Sequence, residues 1–364
     1  MIVIPEDLLP ADGRFGSGPA KVRPEALDYL SLRGDVIGTS HRQAPVKQLV
    51  AMVQEGLREL YQLPDDYQVV LGNGGSTVFW DVAVCSLIKQ QSAHAVFGEF
   101  TRKFARAAAA APFLNDPSIT ECEPGSVVLP VPEAADAVAW AQNETSTGAA
   151  APVERIGDGL VLVDATSSAG GMAADIRQVD AYYFAPQKNL SSDGGLWIAF
   201  CSPAALERAG QIAASGRWIP ESLNLSVAAT NSAKHQTLNT PAIATLLLLE
   251  DQINWLLELG GIGAAEARCR QMSSHVYAWA EASPHATPFV ANPEHRSPVV
   301  ATIGLVPEVD AGHLVAELRH NGIVDIDPYR ALQRNQLRIG TYASVDQADV
   351  EALTACIDYV LERL

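Results

Sequence analysis

Lys188 follows the run Tyr182-Tyr183-Phe184-Ala185-Pro186-Gln187, and a lysine just past a buried apolar strand is placed for covalent chemistry through its amine. Asp164 closes a second apolar run, Leu160-Val161-Leu162-Val163. Open α/β sheets hold ligands in the crevice outside the carboxyl ends of their strands, so the two residues are expected over one ligand. Pyridoxal phosphate requires that pair: an amine to hold its aldehyde as a Schiff base, and a carboxylate to keep its ring nitrogen protonated so that the ring accepts electrons. Singly, a loop lysine is more often solvated, and an aspartate after a strand more often caps a helix or shapes a turn. Their order and setting carry the joint reading.

The short apolar run Gln68-Val69-Val70-Leu71 breaks at Gly72-Asn73-Gly74-Gly75-Ser76-Thr77, and helical spacing resumes from Val78 to Leu87. This loop matches neither G-x-G-x-x-G nor a P-loop. A Gly-rich turn opening a helix still presents backbone N–H groups and the positive end of a helix dipole to an anion, and the Ser76 and Thr77 hydroxyls add donors. A tight turn capped by Thr77 is the other reading. Beside the lysine and aspartate, the loop becomes a seat for a cofactor phosphate. Phe100, just past a strand at His94 to Phe97, either stacks on the pyridine ring or belongs to the core.

These residues need strands and helices in alternation, and the pattern supplies them. An Ala-rich helix is expected from Thr101 to Ala111. Strands are expected at Val138–Trp140, Leu160–Val163, Ala181–Phe184 and Leu196–Phe200, giving an α/β protein with a mostly parallel sheet. Helices follow at Ala242–Leu259 and about Ala264–Ala282. Beyond them strand (Val299–Leu305), helix (Asp310–His320), strand (Gln336–Ile339) and helix (Asp346–Leu364) form a small α/β lid. The expected division is a large domain over 16–260 and a small one over 261–364, joined by the segment 1–15.

Composition narrows the partners. A net charge of -17 disfavours nucleic acid and anionic membrane, which both attract clustered Lys and Arg, but leaves room for an anionic small molecule where a few arginines converge. Cys85, Cys122, Cys201, Cys269 and Cys356 are scattered and odd in number, so neither a disulfide framework nor a zinc site is expected. The start Met1-Ile2-Val3-Ile4-Pro5 lacks the basic, then apolar, pattern of a signal peptide, and no apolar run approaches a membrane span. A cytoplasmic enzyme without a metal is the expectation.

Read in order, Phe15-Gly16-Ser17-Gly18-Pro19-Ala20, Ser40-His41-Arg42, the Gly74-Gly75 loop, Asn143-Glu144-Thr145-Ser146-Thr147-Gly148, the Asp164 turn, Gln187-Lys188-Asn189 and Asn239-Thr240-Pro241 resemble the phosphoserine aminotransferases over nearly the whole chain. The Lys and Asp are general to small-substrate aminotransferases. The Ser-His-Arg and Asn-Glu-Thr stretches are more specific. The resemblance implies a fold type I, pyridoxal-phosphate-dependent homodimer with shared active sites. Such an enzyme interconverts O-phosphoserine and 3-phosphohydroxypyruvate, with glutamate and 2-oxoglutarate as the other pair, in serine biosynthesis.

Carried onto this sequence, the resemblance makes Lys188 the Schiff-base lysine, Asp164 the partner of the ring nitrogen, and Thr145 a hydrogen-bond partner of the ring hydroxyl. Ser76, Thr77 and Gln187, with Asn239 and Thr240 from the other subunit, would bind the cofactor phosphate. His41 and Arg42 would bind the substrate phosphate and Arg338 the substrate carboxylate. Two positions depart from the family pattern. The ring-stacking residue, often Trp, is Phe100. A His-Arg pair before the carboxylate arginine is absent; Tyr329-Arg330 and Arg334 stand there, with their roles open. Locally, Asn239-Thr240-Pro241 also reads as an ordinary helix start, and Arg338 as the partner of some acid. A serine or alanine:glyoxylate aminotransferase would share Lys188 and Asp164 with little use for His41 and Arg42. A cysteine desulfurase would need a mobile cysteine in a Gly/Ser-rich loop. A nicotinamide-dependent oxidoreductase would need the glycine pattern that fails at Thr77, and a non-catalytic binding protein would not be expected to keep Lys188.

Overall fold

The computed structural model describes residues 2–364. In chain order the strands are β1 (Gln68–Asn73), β2 (Ser92–Val96), β3 (Ser118–Glu121), β4 (Ala137–Ala141), the short pair β5 (Asn143–Glu144) and β6 (Ala149–Ala150), β7 (Leu160–Asp164), β8 (Ala181–Phe184), β9 (Leu196–Cys201), β10 (Ala286–Pro288), β11 (Val300–Leu305) and β12 (Gln336–Gly340). Seven of them make one sheet in the order β1-β9-β8-β7-β4-β2-β3. The pairs from β8 to β3 are parallel, while β9 runs against both β8 and β1, so β9 alone opposes the rest.

Side chains alternate across a strand, and here the two faces of the sheet feed two different apolar clusters. Val161, Val163, Tyr182 and Phe184 join the cluster that includes Leu49, Val53 and Leu57 of helix Ala44–Tyr61 and Leu246 of helix Ile243–Glu258. Leu160, Leu162, Ala181 and Tyr183 join the opposite one, with Phe79 and Trp80 of helix Ser76–Ser86 and Phe104 of helix Glu99–Ala109. Burial on both faces explains why these strands read as continuous apolar runs rather than as alternating ones. Because the parallel strands share one direction, β1, β2, β4, β7 and β8 deliver their following loops to one edge of the sheet. The alternation that sends Leu160 and Leu162 to the Trp80 side sends Asp164 there as well.

A second sheet, β10-β11-β12, is antiparallel and is covered by helices Ile262–Ala282, Ala311–His320 and Gln347–Leu361. Its core takes in Ile4 and Phe15 from the N-terminal segment, and the Gly340 amide donates to the Phe15 carbonyl at 2.8 Å. Among the described residues no helix is long and apolar enough to cross a membrane.

The central strands and the paired elements after Val299 follow the sequence pattern to within a few residues. Helices Pro24–Leu32, Ala44–Tyr61, Pro203–Ala213 and Leu225–Ser232 and strands β3 and β10 were not anticipated. Four of the five cysteines are buried, while Cys122 is partly exposed.

Candidate active site

The loops leaving five strand ends enclose a cavity of about 240 Å³ lined by Ser76, Thr77, Trp80, Phe100, Asn143, Thr145, Asp164, Thr166, Gln187, Lys188, Tyr329 and Arg338, among others. Eight residues singled out by the sequence therefore converge: Ser76, Thr77, Phe100, Thr145, Asp164, Gln187, Lys188 and Arg338.

Lys188 donates from Nζ to Thr145 Oγ1 at 2.9 Å, and Nζ lies 4.9 Å from the centroid of the Phe100 ring. Burial lowers its pKa from 10.5 to about 8 by penalising the charged amine, with Asp164 pulling the other way. The lysine is packed closely against the N-terminal segment. Gly18 has a φ of +141°, and a Cβ there would stand 2.8 Å from Lys188 Cε, so only glycine fits.

Asp164 is buried, and burial raises its pKa; bonds from Thr166 and Trp80 and the charge of Lys188 oppose that rise. Trp80 Nε1 donates to Oδ2 at 3.1 Å, and the Thr166 amide donates to Oδ1 at 2.9 Å. Thr166 Oγ1 is 2.5 Å from both Asp164 Oδ1 and Ser76 Oγ. A threonine hydroxyl has one proton and an ionised carboxylate only accepts, so Ser76 donates to Thr166 and Thr166 to Asp164. This relay ties the Gly-rich loop to the carboxylate.

Helix Ser76–Ser86 begins at Gly75, and no side chain caps it, so its first amide groups face the cavity edge without an internal acceptor. Thr77 is therefore not the helix cap. Phe100 sits in the first turn of helix Glu99–Ala109, whose start is held by Glu144. That buried carboxylate accepts from the Phe100 amide at 3.3 Å, from the Thr101 amide at 2.9 Å and from the Ser146 hydroxyl at 2.7 Å. A negative group at a helix N-terminus is favourable on dipole grounds, and here it fixes the aromatic. Arg338, on edge strand β12, donates from Nη1 to the Thr145 carbonyl at 3.1 Å and stacks over Tyr329 at 5.2 Å. Its Nε is buried without a partner, as are Gln187 Oε1 and Asn143 Oδ1 on the same wall.

Four expected site residues do not line this cavity. Thr240 Oγ1 and His41 Nδ1 share a hydrogen bond of 3.0 Å, Arg42 Nη1 donates to Gln236 Oε1 at 3.2 Å, and Thr237 Oγ1 donates to the Asn239 carbonyl at 2.6 Å. The group is tied to the end of β1, where Asn73 Nδ2 donates to the Thr240 carbonyl at 2.8 Å. Burial and the neighbouring Arg42 charge both lower the His41 pKa. Trp80, Thr166 and Glu144, conversely, were not assigned roles from sequence. Trp80 lies one helical turn beyond Ser76, on the same face, and Thr166 follows Asp164 at the spacing of an Asx-type turn; both signals were present.

A lysine and a carboxylate are brought together at the carboxyl edge of a mostly parallel sheet, with the second sheet supplying an arginine, an arrangement that suits an aminotransferase. The class-V aminotransferase family matches residues 119–353. The chain is 57% identical to a protein of Mycolicibacterium vanbaalenii, covering 99% of this chain and 98% of that one, and 57% identical to the phosphoserine aminotransferase of a Nocardioides species over the same shares. The crystal structure of a phosphoserine aminotransferase from Cytophaga hutchinsonii superposes with a TM-score of 0.89 over 96% of this chain and 99% of that one, at 20% identity, which speaks to the fold. The chain belongs to the class-V aminotransferases and, within them, to the phosphoserine aminotransferases. It is a transaminase of fold type I, acting on small molecules.

Proposed function

We propose that this chain moves an amino group between the pair O-phospho-L-serine and 3-phosphohydroxypyruvate and the pair glutamate and 2-oxoglutarate, in serine biosynthesis, with pyridoxal phosphate as cofactor. The observation that carries the reading is Lys188 and Asp164 on the wall of one cavity with Arg338, which has no carboxylate partner among the described residues. The wall fits the cofactor: an amine with a lowered pKa, a buried carboxylate, a helix N-terminus open toward an anion, and three polar atoms that want partners.

When bound, pyridoxal phosphate supplies an aldehyde and an electron-accepting ring. Lys188 would hold it through its amine, and the same amine is placed to move a proton at the substrate α-carbon. Asp164 holds the proton on the ring nitrogen, with Trp80 and Thr166 fixing its oxygens. Each hydrogen bond to a charged group is worth about 1.5–3 kcal/mol, so this orientation is firmly held. Thr145 would bond the ring hydroxyl, and Phe100 would face the ring; both line the cavity. Ser76, Thr77 and Gln187 bind the cofactor phosphate, joined by the partner's Asn239 and the partner's Thr240 in a homodimer. Arg338 grips the substrate carboxylate, a task suited to its planar fork. His41 and Arg42 take the substrate phosphate. Because His41 is bonded to Thr240, the two serve the same site. We assign residues 16–260 and 261–364 to two domains, with 1–15 joining them, supported by the packing of Ile4 and Phe15 against the second sheet. A cytoplasmic location accords with the unpaired thiols.

Steady-state selectivity between O-phosphoserine and serine tests the substrate. His41→Ala or Arg42→Ala raises the KM for phosphoserine by roughly ten-fold or more, the loss of one charge-assisted bond. Glutamate, with a carboxylate at similar reach, is hurt less. Equal losses for both substrates remove these two residues from the phosphate role.

A further inference from the structure

The roles assigned above leave out a cluster at the mouth of the cavity. Tyr329 stands with its ring 5.5 Å from that of Phe100, and the Arg338 guanidinium lies 5.2 Å from its centroid. Both Tyr329 and Arg338 line the inner cavity and also a second, outer one of about 500 Å³, shared with Gly16 to Pro19, Asp327 and Arg330. Tyr329 is thus part of the wall between the two cavities, together with Arg338, Ser17 and Gly18. Behind it, one turn along the helix from Phe100, Lys103 places Nζ 3.1 Å from the Tyr329 hydroxyl, 5.2 Å from the Phe100 centroid and 5.9 Å from the Tyr329 centroid.

Among the described residues Lys103 has no carboxylate partner, although the chain carries 42 acidic residues against 25 basic ones. Two ring faces and a hydroxyl meet the ammonium instead, leaving it exposed and unneutralised. An ammonium only donates, so the Tyr329 oxygen accepts from Lys103, and the tyrosine's own proton is left for another acceptor. An N–H donor and an O–H donor thereby meet at the Tyr329 hydroxyl; Tyr329 and Arg338 line both cavities, while Lys103 lines neither and reaches the wall from its solvent side.

We infer that Lys103, positioned by Tyr329, receives the distal anion of the substrate, the phosphate monoester of phosphoserine, from the same chain that supplies Lys188. This rests on the phosphoserine reading above and adds a specificity-determining cation to it. A short amino acid with a carboxylate at one end and a phosphate at the other would span from Arg338 to Lys103 around one tyrosine ring. Tyr329 acts through Lys103 and is a positioning residue with one donor of its own.

The test compares O-phosphoserine with L-serine, which lacks the distal anion, in the holoenzyme. Lys103→Gln raises the KM for phosphoserine about ten-fold, the loss of one charge-assisted bond, and lowers the preference for phosphoserine over serine by the same factor. Lys103→Arg retains most of that preference. Tyr329→Phe, which keeps the ring and removes the hydroxyl, lowers it by a smaller factor, in KM rather than in kcat. If Lys103→Gln raises both KM values together, Lys103 merely supports the packing of Phe100 and Tyr329, and the inference is overturned. A wild-type enzyme that prefers phosphoserine, with a preference that Lys103→Gln leaves intact, overturns this inference alone. A wild-type enzyme with no such preference overturns the substrate reading and this inference together.

Discussion

Lys188→Ala abolishes transamination, lowering turnover by about 10⁴-fold, the upper end of what a positioned proton-transfer group contributes. The fold persists, because the substitution removes a group whose burial opposes its charge rather than one whose contacts hold the core. Two readouts separate this from simple damage. Borohydride reduction of the wild-type holoprotein, followed by digestion, leaves the cofactor on the peptide containing Lys188, and the variant yields none. Visible absorbance from covalently held cofactor disappears with it. A variant that keeps the absorbance and turns over above a trace would falsify the assignment.

The same amine makes a second measurement possible. With burial depressing its pKa to about 8, Lys188 of the cofactor-free protein is partly unprotonated at neutral pH, and only the unprotonated amine attacks an aldehyde. Capture of pyridoxal phosphate therefore speeds up as pH rises and levels off above about 8. A midpoint near the ordinary lysine value of 10.5 means that the cavity does not shift the amine.

The residues that do chemistry were legible because they follow strands that are hard to mistake. β1, β7 and β8 are buried on both faces, read as apolar runs, and lead into the charged or glycine-rich residues that matter, while β9 is as apolar but runs the other way. Strand β3, Ser118-Ile119-Thr120-Glu121, lies at the sheet edge, where half of its residues meet solvent and the apolar run dissolves. Helix Leu225–Ser232 is rich in Ser, Thr and Asn, whose side chains compete for backbone bonds and blur the helical signal. Helix Ala44–Tyr61 is a different case: its stripe of Val46, Leu49, Val50, Val53, Leu57 and Leu60 is plain at helical spacing and legible in the sequence.

Within the site, the part that escaped the sequence is the part made by packing. Trp80 reaches Asp164 across 84 positions of sequence: its spacing from Ser76 puts it on the cavity face of its helix, but the bond itself depends on how that helix packs on the sheet. Glu144 was visible as a motif letter, but its grip on the helix that carries Phe100 depends on how β5 meets that helix. Tyr329 and Arg338 are near neighbours in sequence, yet the wedge they form with Phe100 exists only because the segment before β12 meets the start of helix Glu99–Ala109.

Mixing two inactive variants restores activity. Thr240 is tied to Asn73 at the end of β1 and Asn239 to Thr237, and both stay off the cavity wall of their own chain, which is the arrangement expected if they complete the partner's site. Lys188→Ala is inactive for want of the amine, and an Asn239→Ala/Thr240→Ala double variant is strongly impaired for want of part of the phosphate seat. After subunit exchange, roughly half of the dimers are mixed, and in each mixed dimer one site collects both defects while the other has neither, so about a quarter of wild-type activity returns. If the two elements serve the site of their own chain, every site remains defective at any mixing ratio. Size-exclusion chromatography of the mixture, with the two variants differently tagged, shows whether exchange has occurred. Confirmed exchange without recovered activity would return Asn239 and Thr240 to their own chain's site, and His41 with them, since the Thr240 hydroxyl is bonded to its ring.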